Sequence, residues 1–140
     1  MVHGKDCRIW HPELSVLLEC TIGDRCTIHA PVWIGNNVVI GNDCKVQAFS
    51  FIPEGVMISD WVFIGPRVTF TNDKYPPSKN WATTHVGPYA SIGAGSVIVA
   101  GVSIGAHALI GAGSVVTKDV PVGGLVYGNP AKLVRYRAVA

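Results

Sequence analysis

The chain has little charge and no long apolar run. Only 14% of its 140 residues are charged, and a formal net charge of +2 is too small to indicate nucleic acid as a partner. Glycines interrupt the apolar residues, so no stretch of about 20 apolar residues is available to span a membrane. Residues 1–6 contain no apolar run of the signal-peptide kind. We therefore expect one cytoplasmic domain over residues 1–140, without membrane insertion.

The sequence also lacks the spacings of zinc sites and of β-hairpins. None of the four cysteines forms a CxxC pair, and Asn-Gly turn dipeptides are absent. Cys20, Cys26 and Cys44 fall on the small position of a repeat and are predicted to fill the core. The absence of hairpin signals argues against an antiparallel sandwich.

An aliphatic residue recurs every six positions, and this period is the strongest signal in the sequence. The aliphatic positions are Ile22, Ile28, Ile34, Ile40, Val46, Ile52, Ile58, Ile64, Val86, Ile92, Ile98, Ile104, Ile110, Val116 and Val122. A glycine often follows the aliphatic residue, and a small or β-branched residue stands four positions after it. Hexapeptide repeats of this kind build parallel β-helices. The period predicts an all-β solenoid of about six three-sided coils, with glycines relieving the corners.

Eighteen residues per coil align the aliphatic positions in three inward-facing columns. Extended towards the N-terminus, the period places Trp10 and Val16 in two of these columns. It also predicts that His11 and His29 stack at one corner with Gln47 next in line, facing solvent or a substrate.

The register breaks once, between Phe70 and Val86, where ten extra residues enter the fourth coil. The inserted loop, residues 71–85, is polar and stiffened by prolines. A long loop that leaves a regular scaffold is a common place for substrate contacts. The alternative is a plain surface insertion or a subunit-packing arm.

The repeat fades after Val122. Asn129 followed by Pro130 is typical of a helix N-cap with proline at the first helical position. We therefore predict a short C-terminal helix within a cap over about residues 123–140, which closes the open end of the solenoid.

These repeats, the segment Ile110 to Pro121 and the segment Gly128 to Lys132 resemble the hexapeptide-repeat acyltransferases. The resemblance implies a left-handed parallel β-helix, a homotrimer with sites between subunits, and acetyl-CoA as co-substrate. It implies no resident metal. Two further readings keep the same solenoid: a non-catalytic scaffold and a protein similar to the γ-class carbonic anhydrases. The latter bind zinc through a His-x4-His pair, a spacing that this sequence does not contain.

A narrower resemblance lies in residues 62–76, which include Phe70-Thr71-Asn72-Asp73. They are similar to N-acetyltransferases that modify the amine of nucleotide-linked 3-amino sugars for bacterial glycans such as lipopolysaccharide. The resemblance implies that Asn72 holds the sugar amine, with Asp73 and Lys74 beside it as acceptor-binding residues. His85 is the candidate general base, because histidine suits proton transfer near neutral pH. In the resembled enzymes the departing CoA sulfur takes the proton, so the role of His85 stays open.

The same resemblance assigns the cofactor residues. It puts Ala94 and Ala112 along the pantetheine arm and Thr117, Lys118, Lys132 and Arg135 near the adenosine end. The cationic members agree with that position, because the phosphates of CoA need cationic partners. The alternative for the cluster is a solvated basic tail. An O-acetyltransferase that acts on a sugar or serine hydroxyl with a histidine base is the second enzymatic hypothesis.

Overall fold

Short parallel strands build a three-sided solenoid. The computed structural model describes residues 1–138, and its strands form three sheets, which we call faces A, B and C. Face A contains β1 (Val2–His3), β4 (Thr21–Ile22), β7 (Val39–Ile40), β10 (Val56–Ile58), β13 (Thr84–Val86) and β16 (Ser103–Ile104). Face B contains β2 (Arg8–Ile9), β5 (Thr27–Ile28), β8 (Lys45–Val46), β11 (Phe63–Ile64), β14 (Ser91–Ile92), β17 (Leu109–Ile110), β19 (Gly124–Gly128) and β20 (Ala131–Tyr136). Face C contains β3 (Val16–Leu17), β6 (Trp33–Ile34), β9 (Phe51–Ile52), β12 (Thr69–Phe70), β15 (Val97–Ile98) and β18 (Val115–Val116).

This architecture confirms the predicted parallel β-helix, consistent with the left-handed form. Six coils are complete, and Val120 with β19 begins a seventh. Backbone hydrogen bonds join the coils at each turn; for example, the amides of Gly23 and Gly41 donate to the carbonyls of Ile40 and Ile58, both at 2.8 Å. Among residues 1–138, no helix is long and apolar enough to cross a membrane.

The aliphatic columns form the core. From the second coil onward, each parallel strand buries its aliphatic residue and turns the preceding residue outward. The small position is also buried, and its polar members bind the next coil. The Sγ atoms of Cys26 and Cys44 donate to the carbonyls of Gly41 (3.1 Å) and Ser59 (3.0 Å), so these cysteines fill the core as predicted.

The first coil departs from the predicted register. Ile9 pairs with Ile28 and Leu17 with Ile34, whereas Trp10 is 49% exposed and Val16 is 38% exposed. A 3₁₀ turn at Pro12–Leu14 lengthens this coil and shifts the pairing by one residue. The predicted inward positions of Trp10 and Val16 are therefore wrong. The predicted histidine stack is wrong for the same reason, because Trp10 occupies the place beside His29 that the period assigned to His11.

The glycines that follow the aliphatic positions do not have the role predicted for them. A Cβ on Gly93 would lie 2.6 Å from the backbone nitrogen of Ala112, so the requirement is close approach between coils rather than backbone freedom. Positive φ angles fall two residues later in the repeat. There they are adopted by non-glycine residues such as Trp61 (60°), Tyr89 (62°) and His107 (61°). The last two rings stack with centroids 4.9 Å apart on the corner between faces A and B.

The predicted C-terminal helix is wrong. β19 and β20 form an antiparallel hairpin, with Asn129 and Pro130 in its turn. Val126 on β19 is buried and continues an inward column, and Ala131 packs against the same core. This burial of a strand-type pattern outweighs the local helix-start signal of Asn129-Pro130. Residues 139 and 140 of the predicted cap lie outside the described residues.

Candidate functional site

The inserted loop leaves the solenoid after Phe70 and returns at Thr84, where β13 begins. The loop is therefore residues 71–83, two residues shorter than predicted, and His85 lies on a strand. One hydrogen bond closes its base, from the amide of Ala82 to the carbonyl of Asn72 (2.8 Å). The amide of Thr84 then donates to the carbonyl of Gly55 (2.8 Å) and restores the regular ladder.

Asn72 is fixed in one orientation at the start of the loop. Its side-chain Nδ2 donates to the backbone carbonyl of Glu54 on the preceding coil, at 2.8 Å. This bond uses the donor side of the amide. The Oδ1 atom accepts no protein hydrogen bond within residues 1–138, so it remains available as an acceptor for a ligand.

The other two predicted acceptor residues have different surroundings. The carboxylate of Asp73 accepts hydrogen bonds from the amide (2.7 Å) and the hydroxyl (2.6 Å) of Ser78, which holds the loop closed. The Lys74 ammonium lies 5.7 Å from the ring centroid of Tyr75, near the exposed tip. Neither residue lines the depressions beside Asn72.

Two adjoining depressions flank the loop, and Glu54 and Trp81 line both of them. The first, here called the aromatic groove, has a volume of about 300 Å³ and is lined by Leu18, Trp33, Gly35, Asn36, Phe51, Pro53, Glu54, Asn72 and Trp81. The second, here called the Lys79 depression, has a volume of about 690 Å³ and is lined by Asn37, Glu54, Gly55, Met57, Lys79, Trp81, Thr83 and His85. The structure thus places Asn72 and His85 in neighbouring depressions rather than in one.

His85 points outward from face A. On β13 it pairs with Met57 of the preceding coil and Ser103 of the following coil, and its side chain is exposed. Its ring makes no hydrogen bond to another residue of the described chain. Within the described residues, no carboxylate is therefore hydrogen-bonded to the His85 ring to orient it.

Sequence reasoning missed Glu54. Its carboxylate accepts a hydrogen bond from the Nδ2 of Asn37 (2.9 Å), and its backbone carbonyl holds Asn72. Glu54 precedes Asn72 by eighteen residues, which is one coil, and that spacing was the available signal. Glu54 itself lies in a regular repeat, where the period alone does not distinguish it from other corner residues.

Three of the four residues predicted near the adenosine line one cavity at the C-terminal end of the solenoid, and Arg135 does not. Thr117, Lys118 and Lys132 line a cavity of about 480 Å³ between the end of face C and β20. The carboxylate of Asp119, also in this cavity, accepts a hydrogen bond from the amide of Ser103 (2.9 Å). Arg135 pairs with Leu125 on the hairpin and is not part of the lining.

The predicted pantetheine residues lie apart from that cavity, on the corner between faces B and C. Next to Ala94 and Ala112 stand Gly95 and Gly113, with φ angles of 72° and 70°. A Cβ on either glycine would have no other atom within 4 Å. This corner is therefore a strip of bare backbone over two coils. On the preceding coil the same corner is covered by side chains, because the Arg67 guanidinium lies 5.1 Å from the ring centroid of Phe49.

Within residues 1–138, no group of three histidine, cysteine or acidic side chains is arranged to hold a metal ion. The described site residues therefore offer amide, carboxylate, ammonium and aromatic groups. Such groups orient a polar organic substrate by hydrogen bonds and charge.

Two family models match parts of the chain. Residues 83–118 match the bacterial transferase hexapeptide (six repeats), and residues 19–48 match the hexapeptide repeat of succinyl-transferase. Among curated proteins, the bifunctional protein GlmU of Desulfitobacterium hafniense is 28% identical over 89 residues, which are 59% of this chain and 19% of that protein. The chain thus spans about a fifth of the length of the curated relatives it matches.

Solved structures share the fold over most of the chain. A mutant of GDP-perosamine N-acetyl transferase from Caulobacter crescentus, in complex with CoA and GDP-perosamine, is 24% identical with a TM-score of 0.73, over 93% of this chain and 54% of that one. The acetyltransferase domain of PglB from Neisseria gonorrhoeae is 22% identical with a TM-score of 0.75, over 92% and 55%. A galactoside acetyltransferase in complex with coenzyme A is 26% identical with a TM-score of 0.72, over 96% and 64%. Together with the coil geometry, these matches show that the chain has the parallel β-helix fold and contains stretches similar to hexapeptide repeats.

Proposed function

We propose that the protein is an acetyl-CoA-dependent N-acetyltransferase that acts on the amine of a nucleotide-activated amino sugar in bacterial-type glycan biosynthesis. The observation that carries the proposal is the fixed amide of Asn72. Its donor side binds the Glu54 carbonyl, and its acceptor side is left for a ligand beside the aromatic groove. The relatives solved with CoA and GDP-perosamine, and with acetyl coenzyme A, support the same class of substrates.

The chemistry requires positioning more than acid–base catalysis. The lone pair of a neutral amine attacks the thioester carbonyl, the new C–N bond forms and the C–S bond breaks. The proton lost by nitrogen goes to the departing sulfur, so no protein base is required. Asn72 Oδ1 accepts a hydrogen bond from the amine and aims its lone pair, although an amide cannot take the proton. Holding two bound substrates in this alignment supplies much of the rate.

Glu54 gives the site a preference for amines. An amino sugar reaches the site partly as an ammonium ion, and a carboxylate attracts that ion more strongly than a neutral hydroxyl group. The ammonium ion releases one proton to solvent before the neutral amine attacks the thioester. The Asn37 amide fixes one oxygen of Glu54, and the remaining lone pairs are left for the substrate. Glu54 lines the aromatic groove as well as the Lys79 depression, so its carboxylate can attract the amine towards Asn72.

The donor, in this proposal, lies along the bare corner and reaches the C-terminal cavity. Ala94 and Ala112 leave room for the pantetheine arm, Lys118 and Lys132 meet the phosphates of CoA, and Thr117 and Arg135 lie near the adenosine. A chain of this kind works in the cytoplasm, where acetyl-CoA is made.

We also propose a homotrimer with each site between subunits. The outer side of face C supports this assembly, because Val16 is exposed there, with Leu14 before it and Phe49 on the adjoining corner. An interface would also bring the bare corner of one subunit against the loop of the next. Sedimentation of the purified protein measures its oligomeric state, and a monomer at micromolar concentration would contradict the proposed trimer.

The decisive assay is thiol release from acetyl-CoA with a panel of dTDP-, UDP- and GDP-linked amino sugars and their hydroxyl counterparts. We expect release with at least one amino sugar and none with its hydroxyl counterpart. Asn72→Ala should lower turnover about a hundredfold, because a misaligned amine loses most of the benefit of positioning. Asn80→Ala, in the same loop, is the matched control and should leave turnover and Tm in place. Normal turnover in Asn72→Ala would refute the assigned role.

A second candidate function is O-acetylation with His85 as the base. It is favoured by the exposed position of His85 in the Lys79 depression and by the similarity to galactoside acetyltransferase. His85→Ala separates the two functions. Complete loss of activity together with acetylation of a hydroxyl substrate supports O-transfer, whereas retained thiol release with an amino sugar supports N-transfer.

A further inference from the structure

The two depressions share a wall but differ in charge. In the aromatic groove, Glu54 is the only ionisable group among the lining residues. The Lys79 depression adds Lys79 and His85 on the far side of that wall. The Lys79 depression therefore holds two basic side chains beside the shared Glu54 carboxylate, whereas the aromatic groove holds none.

Lys79 carries an unneutralised charge. The ion pairs within residues 1–138 join His11 to Glu13 and Arg25 to two aspartates, and none involves Lys79. The Lys79 side chain is exposed and lines the depression together with His85. Both side chains are free to contact a ligand, and an ammonium group is a strong partner for phosphate oxygens.

The aromatic groove has a different character. The Trp33 and Phe51 rings stand 6.0 Å apart on face C, and Trp81 of the loop lies across from them. The indole nitrogen of Trp81 donates to the carbonyl of Ser78 (3.1 Å), which holds this ring in place. Apolar walls with a few polar groups at one end suit a sugar ring that carries one amine.

We infer that the wall formed by Glu54 and Trp81 divides the acceptor into two parts. The sugar ring and its amine lie in the aromatic groove beside Asn72, and the pyrophosphate of the nucleotide lies in the Lys79 depression against Lys79 and His85. The inference rests on the proposed function and adds the nucleotide end of the substrate to it. His85 is then an anion ligand and not a base.

This division predicts that Lys79 sets the preference for nucleotide-linked sugars. Lys79→Ala should weaken binding of UDP or dTDP, used alone as the probe, by about tenfold, because one charged contact to phosphate is lost. His85→Gln, which keeps a hydrogen-bonding side chain without the imidazole, should weaken the same probe by a smaller factor. Lys45→Ala is the matched control, since Lys45 is an exposed lysine on face B.

Calorimetry with UDP and dTDP tests the inference without turnover. A Lys79→Ala variant that binds both diphosphates as tightly as Lys45→Ala does would overturn it, as would wild-type protein that binds neither. The kinetic counterpart is the ratio of kcat/KM for the nucleotide-linked amino sugar to that for the same sugar without nucleotide. This ratio should fall about tenfold in Lys79→Ala.

The two proposals fail in different ways. Diphosphate binding that depends on Lys79, with no acetyl transfer to any amino sugar, would refute the proposed function and support the anion site. Acetyl transfer to an amino sugar, with the same kcat/KM ratio in Lys79→Ala as in the wild type, would support the proposed function and refute the anion site.

Discussion

The coils and the inserted loop are stabilised in different ways. In the coils, backbone groups pair with the next coil every eighteen residues, and side chains at equivalent positions are interchangeable within a size class. In the loop, individual side chains carry the bonds, as in Asp73 with Ser78 and Asn72 with Glu54. The comparison teaches that replacing a buried coil residue changes the stability of the whole solenoid, whereas replacing a hydrogen-bonded loop residue such as Asp73 changes the loop alone.

The largest contrast is expected between two aromatic residues. Phe70 is fully buried where the chain leaves the solenoid, and Tyr75 is 79% exposed at the loop tip. Phe70→Ala should lower the free energy of unfolding by about 3–5 kcal/mol through the cavity it creates. Tyr75→Ala should change it by less than about 0.5 kcal/mol. Urea unfolding of both variants measures this, and similar losses would contradict the contrast.

A second test compares two glycines of the same coil. Gly93→Ala places a methyl group 2.6 Å from the Ala112 nitrogen, which should cost on the order of 3 kcal/mol because backbone has to move. Gly95→Ala meets no atom within 4 Å, and its φ of 72° should cost about 1 kcal/mol. Thermal and urea unfolding measure the loss of stability in each of the two variants. A larger loss in Gly95→Ala would show that turn conformation, rather than coil spacing, limits the frame.

A third test concerns the loop alone. Ser78→Ala removes the hydroxyl that donates to Asp73, a bond to a charged group worth about 1–2 kcal/mol. Because loops open independently of the core, Tm should stay constant while amides in residues 73–81 exchange faster by about tenfold. Hydrogen exchange read by mass spectrometry distinguishes loop from coil peptides. Faster exchange in the coils as well would mean that the two regions unfold together.

The smallest effect is expected at the corner between faces A and B. The Arg25 guanidinium donates two hydrogen bonds to the Asp43 carboxylate, at 2.8 and 3.0 Å, and this contact lowers the pKa of Asp43. A lowered folded-state pKa contributes stability above the unfolded pKa, and that contribution is lost as pH falls through the folded value. Asp43→Asn should therefore lower Tm slightly at neutral pH and not at all once the wild-type carboxyl is protonated. A Tm difference independent of pH would refute the ion-pair origin.

The sequence predicts the coils well because their rule is periodic. Ile22 to Val116 mark three columns, and each of these residues is buried where the period places it. Val122 is 65% exposed, because Val120 pairs with Ile104 in its place, so the predicted inward position of Val122 is wrong. The pairing of the first coil is not predicted, because the 3₁₀ turn that begins at Pro12 adds residues that the six-residue period does not include. The hairpin of β19 and β20 is not predicted either, because it depends on the burial of Val126 against the solenoid. The local Asn129-Pro130 sequence carries no information about that contact.

The site is less predictable from the sequence. The loop was located from its broken register, and Asn72 from a resemblance in residues 70–73. Glu54 lies in another coil, inside a regular repeat, and only the folded chain brings it beside Asn72. The separation of Asn72 from His85 by Trp81 is likewise a matter of three-dimensional packing.

The hydrogen bond between Ala82 and Asn72 has a consequence for how such proteins diversify. It brings the two ends of the segment 73–81 together at one corner, so that the segment behaves as an exchangeable cassette. A segment of different length or composition can be grafted there without altering the spacing of any coil. Under the proposed function, a change of acceptor preference would then come from this short segment, while the coils keep their spacing and the residues that contact the donor.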